Sequence, residues 1–501
     1  DISSGSQDVV PVAQLGKKES KVPMQPGEQR LIIATCEKGT VEDMSEMKDI
    51  KSGIEAIKAA HPNFVELASR EAFRFRDLPS LADPAPARGL FGLAKAERDR
   101  AEKLTRRGEL RVGIARLLNT YVYAPFFNAY LQSLGVKPEN ILYSDYTSGD
   151  MYRAGSSRGA IDPCFPAKIG IAHVHNLLAV KGARKKLDAV FFPMVDVLHT
   201  NLQHLTGSNA CPTVTACPAT VKAAFTKESD LFAEHGAAYL DPITNFRDPK
   251  LLAVQFYDAW APLLGLTRGE NERAIAAGFA ALEQFEREMR RKARETLDQL
   301  EREDRIGIVM LGRAYHHDPG LNHEIPDEFQ KLGYPIFSQS HLPQEEDILE
   351  RLFGDEVRAG VIQHPLDISD VWKNSYSAST NQKVWAAKFT ARHPNLVALE
   401  MSSFKCGHDA PIYGVIEGII ERSGTPYFSF KDLDENKPSG SIKIRVETID
   451  YFLRRYRETV SDRRKARDQV DARLAEFEQR LRAEMAAAPA AECEAEAVAA
   501  V

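Results

Sequence analysis

Three cysteines stand where a strand or its loop gives way to a helix. They are Cys164 in GAIDPCFPAKIG, Cys211 in GSNACPTVTACP and Cys406 in MSSFKCGHDAP. The thiolate is the metal-binding form of cysteine, and a helix N-terminus favours it over the thiol. Pro163, Pro166 and Pro212 stiffen two of these turns, and Gly407 relaxes the third. Cysteines this far apart in sequence, if they converge on one crevice, suit an iron–sulfur cluster better than a local zinc knuckle. The competing reading is three small buried hydrophobes, because free cysteine is among the most buried residue types. Spacing alone leaves both open. None of the six cysteines forms a CxxC pair, and six in 501 residues is no disulfide framework. A reducing compartment follows. Cys36, Cys217 and Cys493 are set aside as ordinary thiols, Cys493 because it lies in an Ala/Glu-rich tail.

A second concentration of polar groups is Gly312-Arg313-Ala314-Tyr315-His316-His317-Asp318-Pro319, directly after the apolar run RIGIVML. At the end of a strand, Arg313 is suited to grip a phosphate or carboxylate. Tyr315 or His316 is suited to moving a proton. The structural alternative is a turn in which Asp318 and Asn322 cap the next helix and the histidines bond into a domain interface. A metal site of His316, His317 and His323 ranks below both. Lys168, His173 and His175 follow Cys164. Lys168 would favour an anionic group nearby, and the two histidines read as packed or surface residues.

The elements that must hold these residues alternate between strand and helix. Residues 110–117, 140–145 and 188–195 read as strands, with helices at 121–134, 167–180 and from 218. A long charged helix over 270–303 bridges to a second series, with strands at 305–311, 334–338, 395–401 and 426–430. This alternation predicts parallel sheets with helices on both faces. The division expected is an arm or linker (1–28), a connecting segment (29–109), a first α/β domain (110–265), a connecting helix (266–304), a second α/β domain (305–440), a C-terminal helix (441–485) and a disordered tail (486–501). The balance of 65 basic against 71 acidic residues gives a net charge of -6, no reason to expect nucleic acid or an anionic membrane as partner. No apolar run approaches the ~20 residues of a membrane span, and no secretory signal is present, so a cytoplasmic protein is expected. The chain starts at Asp1, which suggests a fragment of a longer polypeptide.

The runs VGIARLLNTYVYAPFFNAYLQSLGV, SDYTSGDMYRAG, DPCFPAKIGIAHVHNLL and NACPTV resemble the CoA-enzyme-activase-related family. So do GRAYHHDPGLNHEIP, SSFKCGHDAP and SGSIKIRVETIDYFL in the second half, and ATCEKGTVEDMSEMKDIK upstream. The resemblance spans roughly residues 30–455. It implies kinship with the iron–sulfur subunits of 2-hydroxyacyl-CoA dehydratases and benzoyl-CoA reductases. In those, flavodoxin-like domains around a shared cleft hold a [4Fe–4S] cluster through three cysteines, matched here by Cys164, Cys211 and Cys406. Cys217 falls where the family has another residue, which makes it an optional fourth ligand at best. Ala115 and Ala314 stand where proline is usual, and neither is a proposed ligand.

No GxxxxGK[ST] run occurs, so ATP hydrolysis is expected in an activase module, fused or separate. The function implied is an iron–sulfur component that accepts electrons from that module and passes them to an acyl-CoA-like substrate or a partner protein. A homo-oligomer is also compatible. The alternative is a non-catalytic assembly or regulatory subunit with a structural metal site.

Overall fold

The strands are short and apolar, and their neighbours in space are set by crossovers. In a computed structural model, the structure describes residues 32–33, 40–41, 44–83, 95–158, 164–403, 406–433 and 439–487. Cys36, Pro163 and Cys493 lie outside the described residues. β1 (Ile32–Ile33) and β2 (Thr40–Val41) form a small antiparallel pair.

β3 (Val112–Ile114), β4 (Ile141–Tyr143), β5 (Ala189–Phe191) and β7 (Ala238–Leu240) form a parallel sheet in the order β4-β3-β5-β7. β6 (Met194–Val197) and β8 (Ile243–Asn245) form a separate parallel pair. The single strand expected over 188–195 is therefore two. Pro193 lies between them, and its missing N–H cannot extend a ladder.

The second sheet repeats the first. β9 (Gly307–Leu311), β10 (Ile336–Ser338), β11 (Leu396–Met401) and β12 (Tyr427–Phe430) are parallel in the order β10-β9-β11-β12. In each sheet the first strand lies between the second and the third. That is the flavodoxin-type order, in which the chain reverses direction beside the first strand and leaves a crevice at the strands' carboxyl ends. β9 and β11 are buried along their whole length, as central parallel strands covered on both faces must be. The α/β architecture expected from the alternation is what the chain adopts.

The helix Thr120–Ser133 is buried on nearly every side and carries Tyr121, Tyr123, Phe126, Phe127 and Tyr130. It packs against the helix Arg268–Arg302, whose 35 residues span about 52 Å. Gly278 permits the contact, since a Cβ there would meet the Phe126 ring at 2.7 Å. Thr267 and Glu270 close a capping box at the start of the long helix. Glu270 is also gripped by buried Arg107 at 2.9 Å. Among the described residues, no helix is long and apolar enough to cross a membrane.

The helix expected over 167–180 is three pieces, Phe165–Lys168, Gly170–Asn176 and a π-helical turn at Leu177–Lys181. Helices also lie where no element was expected, among them Glu346–Arg358 and Ala378–Arg392. The second of these is almost wholly buried, so its sequence lacks the amphipathic period that marks a surface helix.

Candidate functional site: three cysteine loops around a buried tyrosine and a charge quartet

Cys164 and Cys211 occupy the N-cap positions of the helices Phe165–Lys168 and Pro212–Thr226, each with a proline in the first turn. Proline fits there because its fixed φ is helical and the missing N–H would have had no helical partner. Cys406 lies after β11, in the turn leading to the 3₁₀ turn Ala410–Ile412 and the helix Tyr413–Ser423. All three are partly exposed and none is in a disulfide. Burial pushes the Cys406 thiol up, against the pull of the Arg313 guanidinium.

The turn after β9 lies between two of these loops. Tyr315 is buried, and its phenol is held well above its ordinary value, first by burial and then by the Cys406 thiol, with a smaller effect from Cys164. Cys164 and Tyr315 share one apolar cluster. The Cys211 loop is stitched to the Cys406 loop by residues 376–381. Asn209 N donates to Tyr376 O at 2.7 Å and Ala378 N to Asn209 O at 2.9 Å. Ser377 Oγ lies 3.0 Å from His408 Nδ1, and Thr380 Oγ1 donates to His408 O at 3.3 Å. Cys217 joins the first two loops differently. Its buried thiol donates to Ala167 O at 3.3 Å, which makes it a packed core residue.

Arg313 Nη2 donates to Asp409 Oδ1 at 2.8 Å, three residues beyond Cys406. Asp409 Oδ2 accepts from Ser402 Oγ at 2.7 Å and lies 3.2 Å from Lys383 Nζ, which is 3.1 Å from Glu400 Oε1. Tyr427 OH donates to the other Glu400 oxygen. Two cations and two anions, each 5% exposed or less, make a neutral quartet under the Cys406 loop. Burial works to raise the Asp409 carboxyl, but Lys383 and Arg313 hold it well below the usual carboxylate range. The Arg313 Nε is buried and has no hydrogen-bond partner.

The other members of the turn are committed to the fold. Arg313 N donates to His316 Nδ1 at 2.9 Å, so the neutral ring carries its proton on Nε2, and burial pulls its pKa down to about 3. His317 bridges Ala314 O at 2.9 Å and Ser338 Oγ at 3.0 Å. Asp318 caps the short helix Pro319–Asn322 through Gly320 N at 2.8 Å. His323 sits in the left-handed region at the end of that helix. Among the described residues no set of three or more His, Cys, Asp or Glu forms a ready site for one metal ion, so neither His316, His317 and His323 nor Cys164, Cys211 and Cys406 are assembled as ligands of a single ion. Lys168 Nζ lies 5.6 Å over the Tyr152 ring.

A cleft of about 310 Å³ opens on the other side of the same turn, lined by Tyr121, His199, Glu286, His317, Gln339 and His341. Tyr123 OH lies 3.1 Å from His199 Nδ1, and His199 Nε2 lies 2.7 Å from Glu286 Oε1. Burial opposes charge on Glu286, but His199 and Arg290 hold its carboxyl down to about 2. Gln339 Oε1 and His341 Nδ1 are buried without partners. Sequence reasoning passed over His199, Glu286, Gln339 and His341. The available signal was position, since Gln339 and His341 lie within three residues of the end of β10 and His199 two residues beyond β6.

Two parallel sheets of the same order define a flavodoxin-type α/β protein; Cys406 follows β11 of the second sheet, Cys211 follows β6 of the separate pair, and Cys164 lies beyond the helix Gly149–Gly155 that follows β4. Residues 111–342 match the family model described as CoA enzyme activase uncharacterised domain. The match supports a CoA-enzyme-activase-related family. It includes Cys164, Cys211 and the 313–318 turn, whereas Cys406 lies beyond it. No curated protein matches the chain.

Proposed function

We propose that this chain is an iron–sulfur component of an ATP-dependent, low-potential electron-transfer system of the 2-hydroxyacyl-CoA dehydratase activator type. Cys164, Cys211 and Cys406 would hold a [4Fe–4S] cluster. The observation that carries the reading is the grouping of Cys164 and Cys406 against buried Tyr315, with the Cys211 loop tied to the Cys406 loop through residues 376–381. The donor set suits the group. Three cysteines outside any disulfide supply thiolates, and a buried guanidinium with an unpartnered Nε suits a neighbouring negative charge.

Such a cluster, when bound, supplies one-electron transfer. The chain's own residues would set its surroundings. Arg313 offsets negative charge and is held in place by Asp409. Tyr315 keeps water from the cysteine loops and retains its proton, and His316 carries its proton on Nε2. ATP hydrolysis belongs to an activase module, fused or separate, and the electron goes on to an acyl-CoA-like substrate or a partner protein. The work is in the cytoplasm.

A second reading, a non-catalytic assembly or regulatory subunit, is favoured by the full commitment of His317 and Asp318 to internal bonds. Anaerobic purification with iron, sulfide and electron paramagnetic resonance analysis separates the two. The proposal expects iron and sulfide that are lost in Cys164→Ala, Cys211→Ala and Cys406→Ala but kept in Cys217→Ala. Colourless protein, or protein holding zinc, would overturn it.

A further inference from the structure

We propose that the distal half of the C-terminal helix is a dimerisation element that pairs in parallel with the same helix of a second copy of this chain. The helix Ser439–Ala487 runs for 49 residues, about 73 Å. Its first half is an ordinary packed helix. Ile442, Val446, Ile449, Leu453 and Val460 are buried, and the first four lie against Ile308, Phe329, Val397 and Phe430 of the second sheet and its covering helix. Their spacing, with half-buried Tyr456 included, alternates four and three residues, which is a heptad seam.

The same seam reappears at Val470, Leu474, Phe477 and Leu481, in register with the first. Here all four side chains are between 40% and 55% exposed. The seam leaves the body of the protein because the helix runs past it: from Gln469 to Arg482 every described side chain is exposed. An apolar a/d stripe left in water is the face a coiled coil buries.

The flanks identify the occupant. With Leu474 and Leu481 at a positions and Val470 and Phe477 at d, Arg473 and Arg480 take the g positions and Glu478 takes e. In a parallel pair each g residue meets the e residue of the next heptad on the other helix. Arg473 of one copy then meets Glu478 of the second, and the two-fold axis repeats the contact. An antiparallel pair would set arginine against arginine along one flank. The surface is thus complementary to itself in one orientation only, and the inference does not depend on what the cysteines hold.

Sedimentation equilibrium on the full chain tests this. Wild type is expected to dimerise, and Leu474→Glu/Phe477→Glu to be monomeric with unchanged circular dichroism, because both side chains are already half exposed. Glu478→Arg should weaken the dimer about tenfold, through two lost pairs and two new repulsions. Adding Arg473→Glu to that variant should restore it. A wild-type monomer at its highest soluble concentration, a dimer indifferent to Leu474→Glu/Phe477→Glu, or a charge swap that does not rescue would each overturn the proposal.

Discussion

Thr147 Oγ1 donates to Asp318 Oδ2 across 2.8 Å, joining the loop after β4 to the turn after β9. The same oxygen accepts from Tyr121 OH at 2.8 Å and Thr147 N at 3.2 Å. Thr147 spends its one hydroxyl proton on Asp318. It must therefore accept from His173 Nε2 at 3.0 Å, which leaves His173 Nδ1 to accept from Ser144 Oγ at 2.8 Å. One tautomer of a fully buried histidine is thus fixed by a carboxylate from the other sheet's first turn. Asp318→Ala strands Tyr121 and Thr147 without partners. It should cost about 3 kcal/mol or more in urea unfolding. A loss within error would mean that water replaces the carboxylate.

Gly320 makes the same junction sterically. A Cβ at this position would lie 2.1 Å from the Thr147 carbonyl oxygen, and backbone on both sides leaves little room to relax. Gly320→Ala should destabilise the chain by about 1–3 kcal/mol. It should also speed amide exchange around Thr147 and Asp318 more than in the helix Pro249–Leu264.

The quartet should respond differently to single and paired changes. Lys383→Met leaves Asp409 paired with Arg313 alone and takes from buried Glu400 the cation it is paired with, and should cost about 3–5 kcal/mol. Lys383→Met with Glu400→Gln removes one charge of each sign and should cost less than the sum of the single changes. A double-mutant cycle in urea measures the coupling, and strict additivity would mean that the charges do not act as a unit.

Stability should fall as pH drops below the ordinary histidine range. Burial pulls the pKa of His173 and of His341 down to about 3, so the folded state holds both rings neutral. In the unfolded chain each takes up a proton near pH 6.5. Their contribution is full above that value and is lost progressively as pH falls from 6.5 towards 3. His173→Gln/His341→Gln should flatten the slope of unfolding free energy between pH 6 and 4 in chemical denaturation. Glu270 and Glu286, held down to about 2, lose their own contributions only below the carboxylate range.

Much of the frame was legible because it is local. The run IGIVML is continuously apolar, and NLVALEM is apolar but for Asn395 and Glu400; a central parallel strand or a buried helix accommodates such runs. Cys164 and Cys211 were legible as residues ahead of helices, although the helix expected from 218 begins at Pro212, where the first helical turn tolerates proline. The Ala378–Arg392 helix was not legible, since burial on all sides removes the period that marks a helix.

The sequence by itself determined which residues can do chemistry and that they sit at strand ends, because residue type and strand–loop–helix punctuation are properties of adjacent positions. Only the tertiary structure decided their partners. Arg313, which reads as an anion-gripping side chain, is buried against Asp409, 96 residues away. Lys383, which no motif of the sequence singles out, is sealed between Glu400 and Asp409. The reason is physical: whether a charge is solvated or paired depends on which strands become neighbours. Strand order comes from crossovers that bring residues from distant parts of the chain to one sheet edge, and no window along the sequence contains it.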